Sequence, residues 1–295
     1  MEADLTLLLR EATASLAALG AGNPRFEAEL LLSEALGRPR LFLFTERAYQ
    51  PRPQEAARFD ELLGRRLAGE PLQYVLGTAA FRHLLLRVGP GLLIPRSETE
   101  VLVEIAWHAL LPRLAHSAAA PFVVDVGIGS GAILLALLDE ARRAKRAPRG
   151  WRPLGIDLSA RALAATRENA LLNQLPVPPL VQGNLLAAFD PAAPVAAIVS
   201  NPPYVATAEM AALPPEIREH EPPLALAGGD DGLAVIRLLL DQARPFVARG
   251  ALLCFEIGGH QEPGVRRELE SRDLSSAATI HPDLVGRPRV VLIAP

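Results

Sequence analysis

Residues 122–132 read Phe122-Val-Val-Asp-Val-Gly-Ile-Gly-Ser-Gly-Ala132 and run on into Ile-Leu-Leu-Ala-Leu-Leu-Asp-Glu-Ala. A short apolar run ended by glycine has the signature of a buried strand, and the longer run after it has that of a helix. Between them, Gly127, Gly129 and Gly131 let the backbone turn sharply and approach a ligand, while the helix N-terminus beyond offers unpaired N–H groups. Gly127, Gly129 and Ala132 also satisfy the pattern G-x-G-x-x-A. On these residues alone a nicotinamide-dinucleotide site, or a plain strand-to-helix turn, stays open.

Outward from this turn the texture alternates. Downstream lie PLGID, a helix predicted from Ala160 to Asn173 with Ser159 placed to cap it, then PLV, VAAIVS, a helix near Leu233 to Val247, ALLCFEI and a terminal RVVLIA. Upstream, Glu98 to Leu111 reads as helix, with Glu98 and Glu100 as favourable charges at its start. Alternating β and α with continuously apolar strands predicts a parallel, doubly wound sheet covered by helices, with ligands at the carboxyl ends of its strands. Before Gly69 the spacing is helical throughout: Leu5, Leu8, Leu9, Ala12, Leu16 and Leu19 form one stripe, Asn23-Pro24 opens a second helix that stops at Gly37, and a third runs from Pro53 to Ala68. Between these parts, LLLRV and LLI among turn residues predict a short hairpin. The expected organisation is a helical domain over residues 1–74, a hairpin linker over 75–97 and the α/β domain over 98–295.

Composition narrows the function. The 295 residues carry 30 basic and 33 acidic side chains, a formal charge of -3, so no positive field draws the chain to nucleic acid or an anionic membrane. Lys145 is the only lysine, in the arginine-rich ARRAKRAPRG that reads as a solvated loop, and no GK[ST] surrounds it. Phosphate-loop and Schiff-base chemistry therefore drop out. Cys254 stands alone on an apolar strand, a buried hydrophobe by expectation, and the six histidines are scattered, so no metal site is expected. The start, MEADLTLLLREA, has early acids and no basic region of a secretory signal. The least charged stretch, Leu171 to Pro215, is broken by Pro and Asn and cannot span a membrane. A cytoplasmic protein is the expectation.

Two further elements carry chemistry. Asp157 ends PLGID 26 positions after Gly131, where its carboxylate can accept both hydroxyls of a ribose; the arginine-rich loop accounts for the long spacing. Asn201-Pro202-Pro203-Tyr204 follows VAAIVS directly. Two prolines remove two backbone donors, so nearby carbonyls can accept from a ligand, Asn201 adds a side-chain acceptor, and Tyr204 adds an aromatic face. Together they suit a planar NH2 group held by Asn201 Oδ1 and the Pro202 carbonyl with Tyr204 as a lid. A dehydrogenase has no use for this element.

A glycine loop, a ribose acid and Asn-Pro-Pro-Tyr after the fourth strand resemble the S-adenosylmethionine-dependent methyltransferases that act on planar nitrogens. Within them the chain resembles the PrmC/HemK family of release factor glutamine methyltransferases, through RRLAGEPLQYVLG, LLIPRSETEVLVE, DVGIGSGAI, GIDLSARALAATRENA, SNPPYV, HEPPLALAGGDDGL, FEIGGHQ and PDLVGRPRVVLIA. The resemblance implies a Rossmann-like domain that binds S-adenosyl-L-methionine through Gly127, Ile128, Gly129, Ser130, Gly131, Asp157, Leu185 and Asn201. It places the substrate amide on Asn201, Pro202, Pro203 and Tyr204, with Asn201, Pro202 and Tyr204 catalytic and no metal. The implied substrate is the glutamine of the Gly-Gly-Gln loop of class 1 release factors, with the helical domain as docking surface. Two positions depart from the family pattern: Asn184-Leu185 replaces an acid and a bulky residue, and Ser97 replaces a proline. The rivals are a glutamine methyltransferase of a large-subunit ribosomal protein, against which ETE and PLQYVLG weigh, and an adenine-amino nucleic-acid methyltransferase, which should carry basic surface.

Overall fold

The computed structural model describes residues 4–115, 120–144, 150–187 and 189–295. His116 and the centre of the arginine-rich stretch, Lys145 included, lie outside them. The chain forms two compact units, one of residues up to 78 together with 215–220, the other of 79–214 and 221–295.

The first unit is helical: α1 (Leu5–Leu19), α2 (Pro24–Leu36), α3 (Phe42–Thr45), α4 (Pro53–Leu67), α5 (Leu72–Leu76) and the later one-turn α9 (Pro215–His220). Asp4 caps α1 by accepting the Leu7 N–H at 2.9 Å, and Asn23 caps α2 by accepting that of Phe26 at 3.3 Å. Of the predicted stripe, Leu5, Leu9, Ala12 and Leu16 are buried and belong to one core with Leu31, Leu32, Phe59 and Leu62, Leu8 is half-buried, and Leu19, at the helix end, is exposed. The four or five residues of α3 and α5 are too few to display a helical period, and sequence patterning does not reveal them. Arg66, almost wholly buried on α4, is bound by Glu27 at 2.8 Å and by Glu216 of α9 at 3.2 Å.

The second unit opens with the hairpin β1 (Thr78–Phe81) and β2 (Leu84–Arg87). LLI at 92–94 forms no strand, contrary to expectation; it belongs to a loop that lines the cavity described below. The main sheet contains β3 (Phe122–Val126), β4 (Arg152–Asp157), β5 (Leu180–Gln182), β6 (Val195–Ser200), β7 (Leu252–Glu256), β8 (Ala278–Pro282) and β9 (Pro288–Ile293), in the order β5-β4-β3-β6-β7-β9-β8. The first five are parallel, as expected, but β9 runs antiparallel to both its neighbours. A parallel return needs a crossover of a dozen or more residues, whereas only five residues separate β8 from β9, so the all-parallel expectation fails at this edge.

Helices α6 (Ser97–Ala115), α7 (Ala132–Arg143), α8 (Ala160–Leu172), α10 (Ala234–Val247) and α11 (Glu262–Glu270) cover the sheet. Strand alternation sorts the core into two layers. Val123, Leu252 and Cys254 pack with α6 and α7, while Val124, Leu253 and Phe255 pack with α10 and α11. Cys254 is buried, as its apolar strand requires. No described helix is long and apolar enough to cross a membrane.

Candidate active site

The strand order reverses between β3 and β6, the point at which open α/β sheets leave a crevice for ligands. Val126 pairs with Ser200, and the Ser200 hydroxyl donates to the Val126 carbonyl at 2.7 Å. Residues 127 and 201 therefore leave neighbouring strands side by side. Above them lies a cavity of about 270 Å³.

Gly127, Gly129 and Gly131 all have positive φ, at 72°, 57° and 86°. A Cβ at Gly127 would meet no protein atom within 4 Å, whereas one at Gly131 would approach Leu135 Cδ1 to 2.9 Å and Thr166 Cγ2 to 3.0 Å. The first glycine thus borders open cavity, and the third lets α7 pack against α8. Asp157 fixes the turn: its Oδ2 accepts the Gly129 N–H at 2.9 Å and its Oδ1 the Ser159 N–H at 2.8 Å. A carboxylate has about four lone-pair sites, so capacity to accept ribose hydroxyls is left over. Ser159 caps α8 by accepting from Ala162 at 3.3 Å, as its position predicts. Asn169, buried on α8, accepts the Arg87 N–H at 2.7 Å and donates to the carbonyls of Arg87 at 3.1 Å and Ser130 at 2.9 Å, tying the hairpin to the glycine turn. Beneath the turn, Asp125 is fully buried with Oδ2 accepting the Leu134 N–H at 3.0 Å and Oδ1 without a protein partner. Burial, reinforced by the charge of Asp157 and opposed by the Leu134 N–H, pushes its carboxyl up to about 7.

Pro202 and Pro203 supply no N–H, and β6 ends at Ser200 just before Asn201. The chain is then pinned from the far side. Val205 donates to the Leu226 carbonyl and accepts from Gly228, both at 2.8 Å, and Gln261 Nε2 donates to the Tyr204 carbonyl at 2.9 Å and that of Gly232 at 3.1 Å. Gly232 has φ 74°, and a Cβ there would stand 2.4 Å from the Tyr204 carbonyl oxygen. Asn201 Nδ2 donates to Thr99 Oγ1 at 3.1 Å, Thr99 Oγ1 donates to Glu256 Oε2 at 2.6 Å, and the Tyr204 hydroxyl donates to Glu256 Oε1 at 3.1 Å. Burial raises the Glu256 carboxyl above its usual range, while Thr99, Arg289 and Tyr204 pull it back. Burial likewise raises the Tyr204 hydroxyl, with the Glu256 charge adding to it.

Gly127, Ile128, Gly129, Ser130, Asp157, Leu185, Asn201 and Pro203 all line the cavity. Gly131, Pro202 and Tyr204 do not. The expected aromatic lid is absent from the wall because the Tyr204 hydroxyl is tied to Glu256 and its ring packs beside the apolar layer of α10. Leu185 has φ 50°, unusual for a branched side chain, in a turn whose Leu186 N–H reaches Gln242 Oε1 at 2.7 Å. The rim was not legible in the sequence. Leu92, Pro95 and Arg96 on one loop face Leu224 and Ala225 on another, and the buried Glu221 joins the two by binding Arg96 and accepting the Ile94 N–H at 3.2 Å. Thr99 and Glu256 were also missed, since nothing in PRSETE or FEIGG sets them apart from a helix start and a buried strand end.

The chain is similar to known proteins in both of its units. A family profile described as the PrmC N-terminal domain matches residues 8–77, and one described as the methyltransferase small domain matches 100–216. The catalytic domain of human METTL16, solved with a hairpin of the MAT2A 3′UTR, shares the fold with a TM-score of 0.54 at 14% identity, over 76% of this chain and 81% of that one. A release factor glutamine methyltransferase of Moorella thermoacetica is 40% identical over 96% of both chains. One from Geobacter sulfurreducens is 42% identical over 82% of this chain and 80% of its own, and one from Deinococcus radiodurans 37% identical over 96% of each. Identity at this level along nearly the entire length, helical unit and α/β unit alike, means that the chain belongs to the release factor glutamine methyltransferase family.

Proposed function

We propose that the protein methylates the side-chain amide nitrogen of the glutamine in the Gly-Gly-Gln motif of class 1 release factors, with S-adenosyl-L-methionine as donor. The observation that carries this reading is the cavity at the β3/β6 reversal, where the glycine turn and Asn201 share one wall. The residues fit such a donor: open space over Gly127 admits a ligand close to the backbone, Asp157 retains acceptor capacity for a ribose, and Leu185 lines the same cavity.

When bound, the cofactor supplies a methyl carbon made electrophilic by a sulfonium sulfur. An amide nitrogen is a poor nucleophile because its lone pair is delocalised, so the work of the chain is placement. Asn201 Oδ1, on the cavity wall, would accept one amide proton, and the carbonyl of the adjoining Pro202 is the second acceptor that the family resemblance implies; together they would orient the lone pair and stabilise the positive charge that grows on nitrogen toward the transition state. Transfer from a donor held by the glycine turn and Asp157 would form a nitrogen–carbon bond, leave the broken sulfur–carbon pair on sulfur, and release one amide proton to solvent. No strong general base is required, because methylation itself acidifies the N–H. We further propose the helical residues 1–74 as the docking surface, 75–97 as a linker and 98–295 as the catalytic domain, in a protein that works in the cytoplasm without direct contact to nucleic acid.

The test is incubation with labelled donor and purified release factor, followed by peptide mass mapping. The expected result is one methyl group on the Gly-Gly-Gln glutamine. Label on a ribosomal protein or nucleic acid with none on the release factor would sink the reading.

A further inference from the structure

We infer that Thr99 and Glu256 are positioning residues that fix the polarity of Asn201, so that the cavity offers an acceptor and refuses one. The inference rests on the function proposed above. Its logic is a count of protons. Glu256 is 1% exposed and its two oxygens take the hydroxyl of Thr99 at 2.6 Å and that of Tyr204 at 3.1 Å. With Glu256 ionised, as the hydroxyl donors Thr99, on one oxygen, and Tyr204, on the other, favour, the carboxylate can only accept, so the single Thr99 proton points inward, toward Glu256. Thr99, itself 4% exposed, then has only lone pairs to offer Asn201. The Asn201 atom 3.1 Å away must be the NH2 nitrogen, and Oδ1 is left as the free end of the carboxamide.

Thr99 and Asn201 line the cavity and Glu256 does not, so the chain of donors runs from the wall into the interior. The same buried carboxylate holds the other end of the Asn201–Tyr204 segment through the Tyr204 hydroxyl. Two consequences follow for the substrate. A glutamine amide, with two N–H donors, meets a fixed acceptor and pays no cost to turn Asn201 over. A glutamate carboxylate in the same place would set oxygen against oxygen, so the network selects the amide.

The test uses the full-length protein with Thr99→Val, which keeps the shape and removes the hydroxyl, Thr99→Ser, which restores it, and Glu256→Gln. Two readouts are taken. The first is the 15N–1H spectrum of the Asn201 side-chain amide without substrate, assigned by its loss in Asn201→Asp. Exchange of its protons with water should be at least tenfold faster in Thr99→Val than in wild type and should return to within about threefold in Thr99→Ser. The second is methyl transfer to purified release factor: kcat should fall tenfold or more in Thr99→Val and Glu256→Gln, KM for the methyl donor should change less than twofold, and Thr99→Ser should recover most of kcat. An unchanged Asn201 amide in Thr99→Val, or Thr99→Ser as impaired as Thr99→Val, overturns the inference. Failure of wild type to methylate the release factor would instead overturn the proposed function, with the amide spectrum still deciding the network.

Discussion

Asn201 presents two chemically different ends, and Thr99 occupies one of them. Substituting Asn201→Ala removes the free acceptor while leaving the backbone ties of Val205 in place, so transfer should fall by about 10²–10³, the scale of losing one preorganised polar group. Single-turnover assays and calorimetry with the methyl donor would separate this from loss of binding; near-wild-type turnover would contradict the role. Tyr204→Phe keeps the ring and should slow transfer less than Asn201→Ala, but it strips one donor from the buried Glu256. Asp125 makes a prediction about pH. Its carboxyl is raised from 3.8 to about 7, so between these values the folded chain holds a proton that the unfolded chain has released. Stability contributed by this group is therefore present at low pH and falls as pH rises toward 7. Asp125→Asn cannot titrate, and relative to wild type it should gain on the order of 2 kcal/mol between pH 5 and pH 8, read from denaturant melts at the two values. An equal pH dependence in both proteins would assign the effect elsewhere.

The decisive element is the strand-turn-helix of β3 and α7, and its partners were less legible than the turn itself. The glycine spacing and the apolar run predict β3, the turn and α7 because those signals are local: close backbone approach and strand burial are written in neighbouring residues. Gly155 on β4 is different. A Cβ there would lie 2.3 Å from Ile128 Cδ1 and 2.9 Å from Leu180 Cδ2, so this glycine exists to seat the glycine turn on the sheet. Gly155→Ala should destabilise the protein by about 1–3 kcal/mol through overpacking and also weaken donor affinity by displacing Ile128. Thermal melts with and without donor would reveal both, and a stability loss without an affinity loss would mean that Ile128 relaxes independently. The Tyr204 ring stands off the cavity wall for the converse reason. An aromatic ring after two prolines looks like a ligand platform, yet its hydroxyl found a buried acceptor from β7, 52 residues away in sequence.

Across the whole molecule, the chain enters the helical unit twice, once at its start and again at 215–220. Arg66 binds that second visit through Glu216 and the first through Glu27. Arg66→Ala leaves the nearly buried Glu27 without its cation and should cost about 3 kcal/mol, whereas adding Glu27→Gln should restore part of it. Calorimetry of the single and double variants checks this; additive losses would mean that the pair is not coupled. Such pairs also give the arginine surplus a use. Arg66, Arg96, Arg237 and Arg272 each bind acids brought close by folding, a task suited to a planar guanidinium with several donors.

The sequence by itself determined the alternation of strands and helices, the glycine turn, Asp157, the Asn-Pro-Pro-Tyr segment and the helical start of the chain. Each is specified by adjacent residues, through apolar period, missing N–H groups or backbone freedom. Only the tertiary structure decided that β9 turns antiparallel, that α9 joins the helical unit, that Glu221 closes the rim and that Thr99 and Glu256 stand behind Asn201. Those outcomes depend on which buried donor meets which acceptor once distant segments pack, and a hydrogen-bond partner 102 or 157 residues away leaves no mark on local sequence.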